Sequence, residues 1–331
     1  MPLFMDVHHI LDSVPFTEED AYKAHLRDLA VQDRYGLVYI KYYLNLPQKT
    51  ICCLMDGPSI EACRTSHEEA HGIGACNVIE VSPGNEFFPY LGEGSKNDKD
   101  LALTLSGEID TGYRTLMMVR LADLSGKHER CTEEIYQSIA RHKGCIVMQP
   151  NDKIMASFVY AFDAISCALE TSHFLESITD ALDYSMAVVT GKPVDENGSE
   201  IFEEARKHLQ MLCGFGQSKV VHIDTGTKTL ARKGSYSPDW HEMNVQFVSA
   251  HDFSFFAGLW KILHNQITDS DFKSARLCTA LGLSKAQTYR KLKALTGMSP
   301  NTFIREIRLR RALAALKKND RTVAEIAYEQ G

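Results

Sequence analysis

From Met1 to Val81, hydrophobic positions switch repeatedly between strand-like and helix-like spacing. Leu3–His9 reads as a strand, 18–32 as a helix, 37–44 as a tyrosine-bearing β-rich run, Thr50–Asp56 as a strand, Ile60–His71 as a helix and 76–81 as a closing strand. That order, βαββαβ, is the split βαβ pattern of ferredoxin-like domains. A sheet this small leaves one face uncovered, so a homodimer closed through that face is expected. From Ser82 to Asp100, Pro83, Gly84, Pro89, Gly92 and Gly94 lead into Lys96, Asn97, Asp98 and Lys99, which reads as a linker. Strand-like runs at 114–121, 145–149, 154–160 and 184–190 then interleave with helical ones at 132–142, 163–176 and 200–211. A second joint at 249–270 carries the aromatic run Phe253, Phe255, Phe256 and Trp260, and the remainder is helical. The expected fold is therefore multidomain: an α+β ferredoxin-like unit at 1–82, a linker at 83–110, an α+β unit at 111–248 and an all-α unit at 249–331.

Composition narrows the class. The chain has 331 residues, 44% apolar and 24% charged, which excludes a disordered or fibrous protein and suits two or three domains. No apolar run reaches the roughly 18 to 20 residues that cross a bilayer. The stretch Met1–His9 holds an Asp and no Lys or Arg, unlike a secretory signal, and nine scattered cysteines, an odd number, fit reduced thiols. A cytoplasmic location without membrane contact is expected. The net charge of −7 is unevenly placed. The tail from Asp271 to Gly331 holds thirteen Lys and Arg against five Asp and Glu, net +8, whereas the chain before it holds 23 against 38, net −15. A basic tail on an acidic body points to a polyanion as partner, although a solvated basic helix has the same composition.

The tail carries the sharpest local signals. Leu277, Cys278 and Leu281 recur at helical spacing and Gly282 follows as a stop. Ser284-Lys285-Ala286-Gln287 then forms a capping box shortly after, which is helix-turn-helix spacing. On the second helix Tyr289, Leu292, Leu295 and Thr296 are expected to face inward and Gln287, Arg290, Lys291 and Ala294 outward. Amide and guanidinium groups read purine edges in a major groove, and Lys neutralises phosphate. Ser299-Pro300 opens another helix, whose apolar stripe of Phe303, Ile304, Ile307 and Leu313 runs beside Arg305, Arg308, Arg310 and Arg311. Thr322-Val-Ala-Glu325 is a second capping box. The string LSKAQTYRKLKALTGMSPNTFIREIRLRRALAALKKNDRTVAEIAYEQG resembles the AraC-type DNA-binding domain, a pair of helix-turn-helix units joined by a long helix. The likeness runs from Phe272 onward. Members of that family continue past the glycine into a second recognition helix, so the second unit here is expected to lack its end. The resemblance implies double-stranded DNA as partner, with RNA polymerase as a further candidate. The candidate DNA-binding residues are Ser284, Lys285, Gln287, Arg290, Lys291, Arg305 and Arg308.

Five of the thirteen histidines lie before Gly72: His8, His9, His25, His67 and His71. His67 and His71 stand four apart on a helix, project from one face and can share a metal ion, though such pairs are also common as packed histidines. His8, His25 and Cys53 fall on neighbouring elements and widen the candidate ligand set. His67-Glu68-Glu69-Ala70-His71 matches the zinc-protease pattern, but Gly72 ends the helix and no third ligand follows. PLFMDVHHI, KAHLRDL, YIKYYLN and SHEEAHGIGA together resemble a family of small ferredoxin-like, nickel-binding bacterial proteins. That resemblance implies a dimer and a nickel site with His8, His67 and His71 as ligands, joined by Cys53 and His25. The donor types themselves suit nickel, copper or zinc.

The middle segment is similar in layout to class III nucleotidyl cyclase domains, over about 111–224. Cyclase chemistry needs two carboxylates on two metal ions. Asp152 stands near the second, but Arg120 occupies the place of the first, and Asn151-Asp152-Lys153 replaces the Gly-Asp-Gly hairpin. The unit is expected to be catalytically inert, with a structural or dimerising role ahead of a retained ligand pocket. The expected function is a metal-responsive, nickel-binding transcriptional regulator of the AraC type and not an enzyme. The alternatives are a metal-dependent hydrolase or residual cyclase, and a regulator whose histidines are only structural.

Overall fold

The computed structural model describes the chain except residues 1, 73, 83, 85–86, 93, 123–127, 149–152, 179–182, 233–243, 319–320 and 330–331. The first unit runs β1 (Leu3–His9), α1 (Glu18–Tyr35), β2 (Val38–Asn45), β3 (Thr50–Asp56), α2 (Ile60–His71) and β4 (Asn77–Val81). Its antiparallel sheet has the order β2-β3-β1-β4 of a ferredoxin-like fold. Thr17 and Asp20 close a capping box at the start of α1, and Gly36, at φ 65°, ends it in the left-handed conformation that glycine adopts without strain.

Alternation along β1 sends Phe4 into the core beneath α1 and α2, with Tyr39, Cys53, Met55 and Cys63. Leu3, Met5 and Val7 point the other way and join Tyr43, Cys52, Leu54, Ile79 and Val81 in a core that continues into the middle unit. The sheet face expected to seat a second copy is thus covered within the chain. The apolar face that a lone ferredoxin-like unit exposes here has an intramolecular partner.

Residues 83–110, expected as a linker, carry α3 (Phe88–Leu91) and the buried Leu101, which bridges to Tyr42. Arg114 grips Asp110 through two bonds of 2.8 and 2.7 Å and donates to the Leu91 carbonyl at 2.8 Å. A buried guanidinium needs acceptors of this kind at both terminal nitrogens to offset its desolvation.

The middle unit contains β5 (Arg114–Ala122), α4 (His128–Arg141), β6 (Cys145–Met148), β7 (Lys153–Phe158), α5 (Ala161–Ile178), β8 (Asp183–Gly191), α6 (Glu203–Phe215), β9 (Val221–Asp224), α7 (Thr225–Arg232) and β10 (Val245–Val248). The strands form one sheet, β10-β9-β8-β5-β7-β6, with β8, β9 and β10 parallel and the other pairs antiparallel. Met117, Val119 and Leu121 of β5 pack with Ile135, Ile165 and Ala231 of α4, α5 and α7. Leu116 and Met118, on the opposite face, pack with Leu209 and Leu212 of α6.

The last unit holds α8 (Ala250–Gln266), α9 (Ser274–Leu281), α10 (Lys285–Thr296), α11 (Pro300–Lys318) and α12 (Val323–Glu329). Phe253, Phe255 and Phe256 are buried as the aromatic run suggested, and they extend the core that begins on β1. Asn77 of β4 donates to the carbonyls of Asp195 and Gly198 at 2.8 and 2.7 Å, and Arg310 of α11 donates to the Gly214 carbonyl at 2.8 Å. All three units therefore meet through apolar and polar contacts. Among the described residues no helix is long and apolar enough to cross a membrane.

Candidate metal centre and nucleic-acid interface

The metal candidates converge on the helix-covered face of the first sheet. Period two on β1 puts Asp6 and His8 on that face, β3 adds Cys53, α1 adds Asp28 and α2 adds His67 and His71. Two groups of donors result, Asp6/His8/Cys53/His67 and Asp28/His67/His71, each with its ligand atoms within 4.8 Å of one another. His67, fully buried, belongs to both. Its Nδ1 lies 3.0 Å from Asp28 Oδ1 and its Nε2 2.5 Å from Asp6 Oδ2. His8 Nε2 is 3.2 Å from Asp6 Oδ2, and His71 Nε2 is 2.8 Å from Asp28 Oδ1. Asp6 Oδ1 also accepts from the Cys53 backbone N–H at 2.6 Å, which fixes the carboxylate.

Electrostatics bind the cluster together. Burial opposes ionisation of Asp6, but His8 and His67 hold its carboxyl far below the usual carboxylate range. Asp28 is lowered in the same way, His67 and His71 prevailing over burial. For His67 burial disfavours charge, yet Asp6 and Asp28 outweigh it and push the imidazole up to about 10. Burial and Asp6 raise the Cys53 thiol well above its ordinary value, so nitrogen and oxygen donors lead the set. The single positive charge on His67 thus faces two buried carboxylates and balances only one of them, a place that a divalent cation fits. His67 Nε2 has no partner in hydrogen-bonding geometry despite its closeness to Asp6 Oδ2. In the charged imidazole that nitrogen carries a proton beside a fixed carboxylate, and loss of the proton exposes a lone pair that a cation can take.

Of the predicted ligands, the structure brings together His8, Cys53, His67 and His71. His25 stands apart: it faces Asp100 at 3.2 Å and Tyr42, and enters neither donor group. Asp6 and Asp28 were missed, although Asp6 stands two positions before His8, which on a strand means the same face. Glu68 is exposed, away from the buried His67, which removes the general base that the protease pattern requires.

The nucleic-acid candidates lie on α9–α11. Gly282, at φ 64°, ends α9, and the Ser284/Gln287 box opens α10 as expected. The inward face of α10 is Thr288, Leu292, Leu295 and Thr296; Tyr289 is exposed, away from its expected place. Lys285, Tyr289, Arg290 and Lys293 share the outward side. Gln287 Oε1 accepts from the Ser284 backbone N–H at 3.0 Å, so both residues cap the helix and the amide oxygen of Gln287 is engaged there. Lys291 turns toward α8, 2.8 Å from His251 Nε2 and over the Phe255 ring. Arg308 donates to the carbonyls of Ile267, Asp269 and Phe272 at 3.0, 2.6 and 3.4 Å. It clamps the turn after α8 and is withdrawn from the interface. Arg305 remains exposed.

Comparison with known proteins agrees at both ends of the chain. Residues 4–81 match the family described as nickel responsive protein SCO4226-like, and residues 277–331 match the helix-turn-helix domain family. The first unit is an SCO4226-like domain and the last an AraC-type helix-turn-helix. SCO4226 from Streptomyces coelicolor A3(2) is 35% identical over 24% of this chain and 94% of its own, with a TM-score of 0.22. An adenylate/guanylate cyclase/hydrolase from Silicibacter pomeroyi is 21% identical over 38% of this chain and 83% of its own, with a TM-score of 0.32. A curated relative, histidine kinase P4 of Formosa agariphila, is 32% identical over 84 residues, and this chain spans 6% of its length. Of the two residues that bear on cyclase chemistry, Arg120 of β5 donates to the Cys213 carbonyl at 3.3 Å, and Asp152 lies outside the described residues.

Proposed function

We propose that this protein is a transcriptional regulator that binds double-stranded DNA through α10 and senses a divalent metal ion, nickel foremost, in the SCO4226-like domain. The observation that carries the reading is the union, in one chain with a continuous core, of a capped helix presenting Lys285, Tyr289, Arg290 and Lys293 and a buried donor cluster centred on His67. Arg290 supplies base readout and Lys285 contacts phosphate, whereas the Lys293 ammonium donates to the Gly297 carbonyl at 2.6 Å. His67, Asp6, His8, Asp28 and His71 hold the ion, whose double positive charge balances the two carboxylates once the His67 proton has left.

For metal to regulate DNA binding, it must favour one arrangement of the domains over another. The core that joins β1 to α8 supplies the connection, because Phe4 and Asp6 face the metal side while Met5 and Val7 face the middle unit. A catalytic role for the middle unit finds no support, since Arg120 cannot replace a metal-binding carboxylate. The test is selection of bound sequences from random duplex DNA by the full chain, with and without nickel. A sequence motif whose affinity changes at least fivefold with nickel is expected. Sequence-independent binding that nickel leaves unchanged overturns the reading.

A further inference from the structure

The three units meet around a cleft that neither metal nor DNA uses. One compartment, of about 810 Å³, lies under the β2–β3 turn at the strand ends of the middle sheet, with Tyr113, Val159, Tyr160, Phe162 and Leu230 among its walls. A second, of about 770 Å³, continues to α8 and ends at His208 and Phe253, whose rings stack with centroids 3.9 Å apart. Gln48, Tyr113, Thr190, Asp224 and Gly226 border both, so the two form one cleft. It opens by the N-terminal end of β5, whereas Arg120 lies toward the opposite end of that strand. Cavities of roughly 300 to 1,000 Å³ at domain interfaces are the usual seats of small organic ligands.

The lining narrows the ligand class. The first compartment is aromatic and apolar, suited to a flat ring system. Four carboxylates, Asp163, Asp195, Glu204 and Asp224, line the cleft against two lysines, Lys143 and Lys192. Asp224 caps α7 by accepting from Thr227 N at 3.0 Å, while the Glu204 carboxylate is largely open to solvent. We propose that this cleft binds a small amphipathic amine, its ring system among Tyr113, Tyr160 and Phe162 and its protonated nitrogen toward Asp195 and Glu204. Burial raises the Asp195 carboxyl above its ordinary range, and a cation brought beside it offsets that cost.

The experiment is calorimetric titration of the full, metal-free chain at pH 7 with 2-naphthylmethylamine and, for the opposite charge, 2-naphthylacetate. One saturable site per chain is expected for the amine, with the acetate at least tenfold weaker. Gln48→Trp, which enters the junction of the two compartments from an exposed turn, should weaken the amine at least tenfold. Leu46→Trp, on the same turn but outside the cleft, should leave it unchanged. Leu230→Trp, entering from α7, repeats the block should the turn variant fail to fold. Equal affinity for amine and acetate, absence of a saturable site, or wild-type binding by a folded blocking variant overturns the assignment. Neither DNA nor metal is present, so the outcome bears on the cleft alone.

Discussion

Replacement of Asp6 by Asn is the sharpest perturbation of the His67 cluster. The shape is kept, and an amide oxygen can still accept from the Cys53 N–H, so only charge is removed. In the wild type His67 is flanked by two anions, at 2.5 and 3.0 Å. Breaking a buried ion pair costs about 3 to 5 kcal/mol. Asp28 remains to share the imidazolium, so the expected loss of stability is at the lower end, about 3 kcal/mol. The metal effect should be larger than the roughly 10 to 100-fold produced by losing an outer-shell partner, because Asp6 is a donor itself. Tag-free protein dialysed against nickel and then titrated should show about one ion per chain for wild type and no tight ion for Asp6→Asn. Urea unfolding supplies the stability change. His67→Ala should abolish binding, since His67 serves both donor groups. Asp28→Asn identifies the group in use: a loss comparable with that of Asp6→Asn means that His67 joins both carboxylates to one ion. Nickel affinity within threefold of wild type for Asp6→Asn, or a stability change below about 1 kcal/mol, would refute the reasoning.

His222 provides a pH test away from the metal. It is buried, donates from Nδ1 to the Met186 carbonyl at 3.3 Å and accepts at Nε2 from Gln217 N at 3.2 Å, and burial lowers it to about 4. Its unfolded value is about 6.5, so its stabilising contribution is complete above that pH and is lost as pH falls toward 4, about 3 kcal/mol in all. Urea melts between pH 7 and 5 should show this slope in the wild type and a flatter one in His222→Gln; equal slopes would refute it. In the last unit, Arg308→Ala should lower Tm by several degrees through loss of the clamp on the turn after α8, whereas Arg290→Ala should leave Tm unchanged and relax DNA sequence preference, read by melting and by anisotropy on variant duplexes. ATP or GTP with magnesium or manganese should yield no cyclic nucleotide, and turnover that vanished in Asp152→Ala would overturn that expectation.

Signals confined to a few neighbouring residues were legible in the chain itself. The Ser284/Gln287 box, the left-handed Gly282, and the four-residue spacing of His67 and His71 depend only on backbone geometry within one or two turns. Hence β1, β3 and α2 fall where the pattern predicted them. The parallel strands β9 and β10 did not show in the pattern, for each is only four residues long and is defined by its pairing with a distant segment. The donor cluster divides in the same way. Two of its histidines are helix neighbours, but their carboxylate comes from α1, 39 residues before His67, and only the packing of α1 on α2 brings Asp28 to them. Tertiary packing also decided which cations remain free. Arg308 reads as one more basic residue on a helix, and it becomes a clamp because the carbonyls at the end of α8 lie within its reach. The covered sheet face has the same origin: alternation determines that Met5, Val7 and Leu54 share a side, whereas whether a second chain or the middle unit fills that side depends on surfaces far apart in sequence.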